Sequence, residues 1–182
     1  NCADKAYALS IDEFNENVTR PMAPIGSEGG TLTLMAEEDA VLPRLNVVYG
    51  TTVIDGAAKL TLAGTNAVGG ACASWDDAPE LRIQGGAELL QGDDPFFAGN
   101  MQLASFRHRA RIVLSNATWR TLGLKTPTEN FAGQLLNTVL LGSGYGDAIL
   151  DLQGGAVFSN KVICGLQSYV NGGSGSGAIY VG

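Results

Sequence analysis

From Gly29 onward, short apolar runs alternate with glycine-rich breaks: Thr31-Leu32-Thr33-Leu34, Asn46-Val47-Val48-Tyr49, Lys59-Leu60-Thr61-Leu62, Leu81-Arg82-Ile83, Ala110-Arg111-Ile112-Val113-Leu114 and Ala178-Ile179-Tyr180-Val181. Runs this short, rich in branched and aromatic residues and bounded by Gly, Asn and Asp, read as strands and turns. The pattern predicts an all-β protein. Only residues 4–17 combine helix formers with an apolar set, Tyr7, Leu9, Ile11 and Phe14, and the alternation of the first three fits a strand as well. Residues 1–28 are set apart as an N-terminal cap or arm, and residues 29–182 as a single β domain.

The strand-and-turn pattern also recurs. Leu81-Arg82-Ile83-Gln84-Gly85-Gly86-Ala87 and Leu150-Asp151-Leu152-Gln153-Gly154-Gly155-Ala156 agree at five of seven positions, at an offset of 69, or three times 23. Ala87, Ala110, Ala132, Ala156 and Ala178 fall 23, 22, 24 and 22 apart, each followed by bulky apolar side chains, and Ala63 and Ala40 extend the spacing upstream. A period near 22 with two or three short strands per unit predicts a right-handed parallel β-helix of about seven coils. In such a coil the Gly-Gly pairs supply the left-handed conformations between strands. An antiparallel β-sandwich, with turns every 8–12 residues, is the competing architecture.

Composition narrows the classes further. The 182 residues suffice for one core without staples, and 45% hydrophobic against 16% charged residues, with 25 Gly and 6 Pro, excludes disordered and collagen-like chains. Eighteen acidic against 11 basic residues leave a net charge of −7, which repels nucleic-acid backbones. No apolar run approaches the roughly 18 residues of a membrane span. Cys2, Cys72 and Cys164 lie far apart with only His108 as an imidazole companion, so no zinc site is expected, and one disulfide plus one free thiol is the plain reading. Asn17-Val18-Thr19 and Asn116-Ala117-Thr118 are glycan acceptors if the chain passes through a eukaryotic secretory route.

Catalytic chemistry finds little to build on. His108 lies in a strand pattern that puts Phe106, His108, Ala110, Ile112 and Leu114 on one face, a core or sheet-face position. Arg107, Arg109 and Arg111 form a row on the other face, suited to carboxylates or sulfated glycans, or to pairing with acids of neighbouring strands. Gly146-Asp147-Ala148-Ile149 is similar to a serine-protease signature, but alanine stands where the nucleophile is needed. Asp76-Asp77 and Asp93-Asp94 are the acids a glycan hydrolase or lyase would use, yet adjacent residues of a strand point to opposite faces, and acidic turns beside Pro and Gly are ordinary. No cofactor is expected, calcium being the one ion such turns could hold. The glycine-rich stretches at residues 142–146 and 172–177 lack the lysine and the strand-to-helix setting of a phosphate loop. Trp75, Trp119, Tyr145, Tyr169 and Tyr180 fall in or beside turns, where rings can stack on sugars or fill an interface, and Trp75 and Trp119 join the arginines as binding candidates.

Two resemblances follow from these residues. Gly154-Gly155-Ala156-Val157-Phe158-Ser159-Asn160, with Gly175-Ser176-Gly177-Ala178-Ile179-Tyr180-Val181 after it and Lys59-Leu60-Thr61-Leu62-Ala63-Gly64-Thr65-Asn66 before it, resembles the repeats of polymorphic outer-membrane-protein and autotransporter-passenger β-helices. That resemblance, over residues 56–182, implies a secreted or surface-exposed adhesive or structural protein. Asp93-Asp94-Pro95-Phe96-Phe97-Ala98, with Phe106-Arg107-His108-Arg109-Ala110-Arg111-Ile112 after it, is similar to the fimbrillin family of pilus subunits. That second resemblance implies β-sandwiches that polymerise by strand donation. The expected function is a non-enzymatic extracellular structural or adhesive surface protein, self-associating and engaging a glycan or surface receptor; a pilus subunit and a glycan-active β-helix enzyme are the alternatives. Open strand edges at the end of a coil stack are the physical route to self-association.

Overall fold

The computed structural model describes residues 31–35, 39–42, 45–47, 50–57, 59–64, 66–72, 74–100, 108–124, 135–143, 146–166 and 175–182. The expected cap of residues 1–28 lies outside them, as do Asn17, Arg107, Ala132, Tyr145 and Tyr169.

Among the described residues, seventeen strands wind through three faces in a fixed order. The first coil is β1 (Thr31–Met35), β2 (Ala40–Leu42) and β3 (Asn46–Val47), one strand on each face. The second is β4 (Thr51–Asp55), β5 (Lys59–Leu62) and β6 (Asn66–Val68), followed by the short β7 (Gly70–Ala71). The third is β8 (Glu80–Ile83), β9 (Glu88–Gln91) and β10 (Phe96–Asn100); the fourth is β11 (His108–Ser115), β12 (Thr118–Thr121) and β13 (Thr138–Ser143). The fifth is β14 (Gly146–Gln153), β15 (Val157–Ser159) and β16 (Lys161–Leu166), and β17 (Ser176–Val181) opens a sixth. The first face stacks β1-β4-β8-β11-β14-β17, the second β2-β5-β9-β12-β15 and the third β3-β6-β10-β13-β16, every neighbour parallel. This is a parallel β-helix. The antiparallel sandwich is not formed; the one antiparallel contact among the described residues is β7 against the start of β11.

The coil count and the period differ from the sequence expectation. Register on the first face runs Thr31 to Thr51, then Thr52 to Leu81 to Ile112 to Leu150 to Ile179, so the coils are unequal: the shortest separates Thr31 from Thr51 and the longest Ile112 from Leu150. Five coils and the first strand of a sixth replace the expected seven among the described residues. The match between Leu81 and Leu150 is a true structural equivalence, but the interval spans two coils rather than three. The coil between them ends its first-face strand with Ser115-Asn116-Ala117, where Asn116 at φ 46° does in one residue what a Gly-Gly pair does in two. The alanine spacing mixes corner positions, Ala87 and Ala156, with strand positions, Ala110 and Ala178.

Inward side chains stack in columns because equivalent residues of adjacent coils lie about 4.8 Å apart in a parallel sheet. On the first face Leu81, Ile112 and Leu150 form one column and Ile54, Ile83 and Leu114 another, all 1% exposed or less. On the second face Leu60, Leu89, Trp119 and Phe158 line up, and on the third Phe96, Val139 and Val162. Trp119 bridges two faces, meeting Phe96 edge-on at 4.9 Å and Phe158 at 5.4 Å. A glycine column ends the third face: Gly69, Gly99, Gly142 and Gly165, at φ of 148°, 66°, 69° and 69°. At Gly99 a Cβ would lie 2.3 Å from the Asp147 carbonyl oxygen, and at Gly142 2.0 Å from that of Ser176, so the chain can turn back onto the first face only without a side chain there.

The three corners are unequal. Connections from first to second face take two to four residues in all five coils. From second to third face one connection is long, that between β12 and β13, its neck closed where Asn137 N–H donates to the Asp93 carbonyl at 2.8 Å and Thr121 Oγ1 contacts Asn137 Oδ1 at 3.2 Å. From third to first face, three connections are long: β6 to β8, β10 to β11 and β16 to β17.

Candidate functional site

The described part of that loop-bearing edge is built around β7. Two residues after the third-face strand β6, the chain reverses, so Gly70 pairs with Arg109 and Ala71 with His108. The reversal carries the connection to β8 across the beginning of β11. Arg109 Nη1 donates to the Cys72 carbonyl at 3.2 Å, and the Arg109 guanidinium lies 5.6 Å from the centroid of the Trp75 ring. Trp75, Asp76, Asp77 and Ala78 form a turn closed by Ala78 N–H to the Trp75 carbonyl at 3.2 Å, and Ser74 Oγ donates to Asp77 Oδ2 at 2.8 Å. Asp–Asp suits the centre of such a turn because short acidic side chains hold local backbone bends. The next carbonyl, of Pro79, accepts Arg111 N–H at 2.9 Å and returns the chain to the first face. Trp75, Asp76 and Asp77 are exposed, whereas Cys72, His108 and Arg109 are half-buried. Burial pushes the Cys72 thiol above its ordinary value, the Arg109 charge opposing in part.

The three arginines of the expected row have different fates. Arg111 faces solvent between two acids, with Glu80 at 3.7 Å and Asp151 at 3.7 Å, and Glu80 also holds Arg82 at 2.7 Å. Arg109 is turned under Trp75, and Arg107 lies outside the described residues. A second charged chain, Lys59–Glu88–Arg120, crosses the outer side of the second face. Trp119, a binding candidate in the sequence, is fully buried and packed in the aromatic column, so its ring cannot meet a ligand from solvent.

The acidic pairs stand at different corners: Asp76-Asp77 before the first face, Asp93-Asp94 between second and third faces, where Gln91 Nε2 donates to the Asp94 carbonyl at 3.0 Å and to the Thr138 carbonyl at 3.2 Å. The structure does not bring the two pairs together. Among the described residues no group of three or more His, Cys, Asp and Glu could hold a metal ion, and no helix is long and apolar enough to cross a membrane. Cys72 and Cys164 carry free thiols, one after β7 and the other on β16, and Cys2 lies outside the described residues. Asn116 is exposed at the first-to-second corner, its N–H donating to the Gly154 carbonyl at 2.9 Å.

Two features had no forewarning in the sequence. Asp147 is buried, with Ser176 Oγ donating to its Oδ1 at 2.7 Å between adjacent coils. Trp75 and Arg109, remote from each other along the chain, meet because of a two-residue strand too short to be read from periodicity. Comparison with protein-family models, with curated proteins and with solved structures gave no match.

Proposed function

We propose that this chain is a non-enzymatic extracellular structural protein whose coil stack presents an adhesive edge. The observation that carries the reading is the inequality of the corners: two to four residues at the first-to-second corner in every coil, against three connections of seven to eleven residues at the third-to-first edge. A stack whose core is closed by columns tolerates chain length only outside the sheets, and exposed loops on a rigid support are where binding concentrates. The outer charges of the first two faces are engaged with one another, whereas Trp75 and its acidic turn face solvent on the long-loop edge. The Gly-Gly-Ala-apolar motif shared with surface β-helices agrees with an extracellular setting.

The test replaces residues 74–78 with Gly and Ser at equal length and measures attachment of the purified chain to glycan-coated and cell surfaces. Loss of attachment with an unchanged circular dichroism spectrum supports the reading. Attachment that survives the replacement, or cleavage of a glycan by the native chain, overturns it.

A further inference from the structure

We propose that the turn Trp75-Asp76-Asp77 is a carbohydrate subsite for a neutral pyranose, with Arg109 as the support beneath the ring rather than as a ligand-binding cation; this rests on the adhesive-edge reading and names its ligand. The guanidinium lies 5.6 Å from the Trp75 centroid, and one arm is held by the Cys72 carbonyl at 3.2 Å. Arg109 Nε is buried, out of reach of any ligand arriving from solvent. Arg109 therefore occupies one face of the indole and pins it. Trp75 is nonetheless 39% exposed, so part of its side chain can be met from solvent.

A flat ring held from behind is what the apolar C–H face of a pyranose stacks on, because the polarised C–H bonds meet the negative π-face and the ring loses little freedom on binding. The same turn supplies the polar partners. Asp76 is exposed next to the indole, and Asp77 has its Oδ2 already oriented by Ser74 at 2.8 Å. Carboxylates accept charge-assisted hydrogen bonds from sugar hydroxyls at the rim of the stacked ring. They also decide the ligand's charge: two acids at the turn and a net −7 on the chain repel a uronic acid or a sulfated sugar. The anionic glycan that the arginine row pointed to is thus disfavoured here, since Arg111 is engaged by Glu80 and Asp151 and Arg109 is covered.

Trp75 and Trp119 are the two tryptophans of the chain, and Trp119 is sealed in the core, so a change in emission on adding sugar reports Trp75 while Trp119 reports that the fold is intact. The experiment titrates the full chain with the methyl glycosides of glucose, galactose and mannose, and with methyl glucuronide, following tryptophan emission and saturation-transfer NMR. Expected are saturable binding of at least one neutral glycoside, transfer to the C–H protons of one sugar face, binding weakened about tenfold or more by Trp75→Ala, partly kept by Trp75→Phe, and weakened several-fold by Asp76→Asn. Three results overturn the subsite: no saturable binding of any neutral glycoside up to tens of millimolar, tighter binding of the glucuronide, or binding unchanged in Trp75→Ala with the buried Trp119 emission retained. If attachment to surfaces needs residues 74–78 but none of these glycosides competes with it, the sugar assignment falls while the adhesive edge stands; if attachment ignores the loop while a neutral glycoside still binds at Trp75, the adhesive edge falls and the subsite stands.

Discussion

Trp119 is the largest side chain sealed in the core, and it joins the second and third faces through Phe96 and Phe158. Trp119→Ala is expected to cost about 3–5 kcal/mol, read as a lower urea midpoint, because the rigid sheets around it cannot collapse into the void. Glycine acts at two kinds of position. Gly99→Ala drives a methyl into the Asp147 backbone at a left-handed φ and is expected to cost well over ~1 kcal/mol, whereas Gly154→Ala, with open space around it and no left-handed φ, leaves the midpoint nearly unchanged. Cys72 carries the pH prediction. Burial lifts its thiol above the ordinary 9.0, so the folded state keeps the proton longer than the unfolded chain does. Its contribution to stability is complete below about pH 9 and is lost as the pH rises through the raised value. Denaturation midpoints measured from pH 8 to pH 10.5 should fall more steeply for the native chain than for Cys72→Ser, which has nothing to titrate in that range.

At the scale of elements, the outer sides of the sheets are held by charge and the inner sides by columns. Glu80 on β8 touches Arg82 on its own strand and Arg111 on β11, whose other partner is Asp151 on β14, so three strands share one chain of ion pairs. The arginines are nearly half exposed, at 45% and 47%, so water screens the pairs. Glu80→Gln is expected to cost no more than about 1 kcal/mol in low salt, a difference that shrinks in 1 M salt, as thermal melts at the two ionic strengths would show. The corners behave differently from the strands. A first-to-second corner stays at two to four residues, with a left-handed residue at Gly56, Gly85, Gly86, Asn116 and Gly155, and the next coil's backbone hydrogen-bonds straight onto it: Gly86 N–H to the Asn116 carbonyl at 2.7 Å and Thr118 N–H to the Ala87 carbonyl at 2.9 Å. The other corners take insertions, which is why the coil from Ile112 to Leu150 is nearly twice as long as that from Thr31 to Thr51.

At the scale of the whole molecule, each coil touches chiefly its two neighbours, so stability is a sum of coil-to-coil interfaces rather than one global core. β11 is paired on both sides, with β8 and β14, and β17 on one side, with β14, among the described strands. Hydrogen exchange should therefore protect the amides of β11 about a hundredfold or more over those of β17, whose Tyr180 and Val181 are 58% and 80% exposed. Uniform protection along the stack would show instead that the coils open as a single unit.

Strand chemistry was legible along the chain: Lys59-Leu60-Thr61-Leu62, Leu81-Arg82-Ile83 and the alternation from Ala110 to Leu114 all form the strands their pattern predicts, because a short branched run flanked by Gly has few other low-energy conformations. The parallel β-helix was legible too, through a motif that recurs at equivalent corners, Leu81 to Ala87 and Leu150 to Ala156. A stronger signal, unread in the sequence, lies in three strand residues and a glycine at Asn66-Ala67-Val68-Gly69, Phe96-Phe97-Ala98-Gly99, Val139-Leu140-Leu141-Gly142 and Val162-Ile163-Cys164-Gly165. The unequal steps from Gly69 to Gly99, Gly142 and Gly165 hide it from any constant period. Coil number, the depth of Trp119 and the meeting of Trp75 with Arg109 belong to tertiary structure alone. They depend on where insertions leave the stack and on which strand of a later coil lies beneath a loop, and local pattern carries information about the conformation of a run but none about its neighbour a whole coil away. The sequence by itself determined strands, glycine turns and a repeating stack; the fold decided which aromatic ring is sealed inside and which is left facing water.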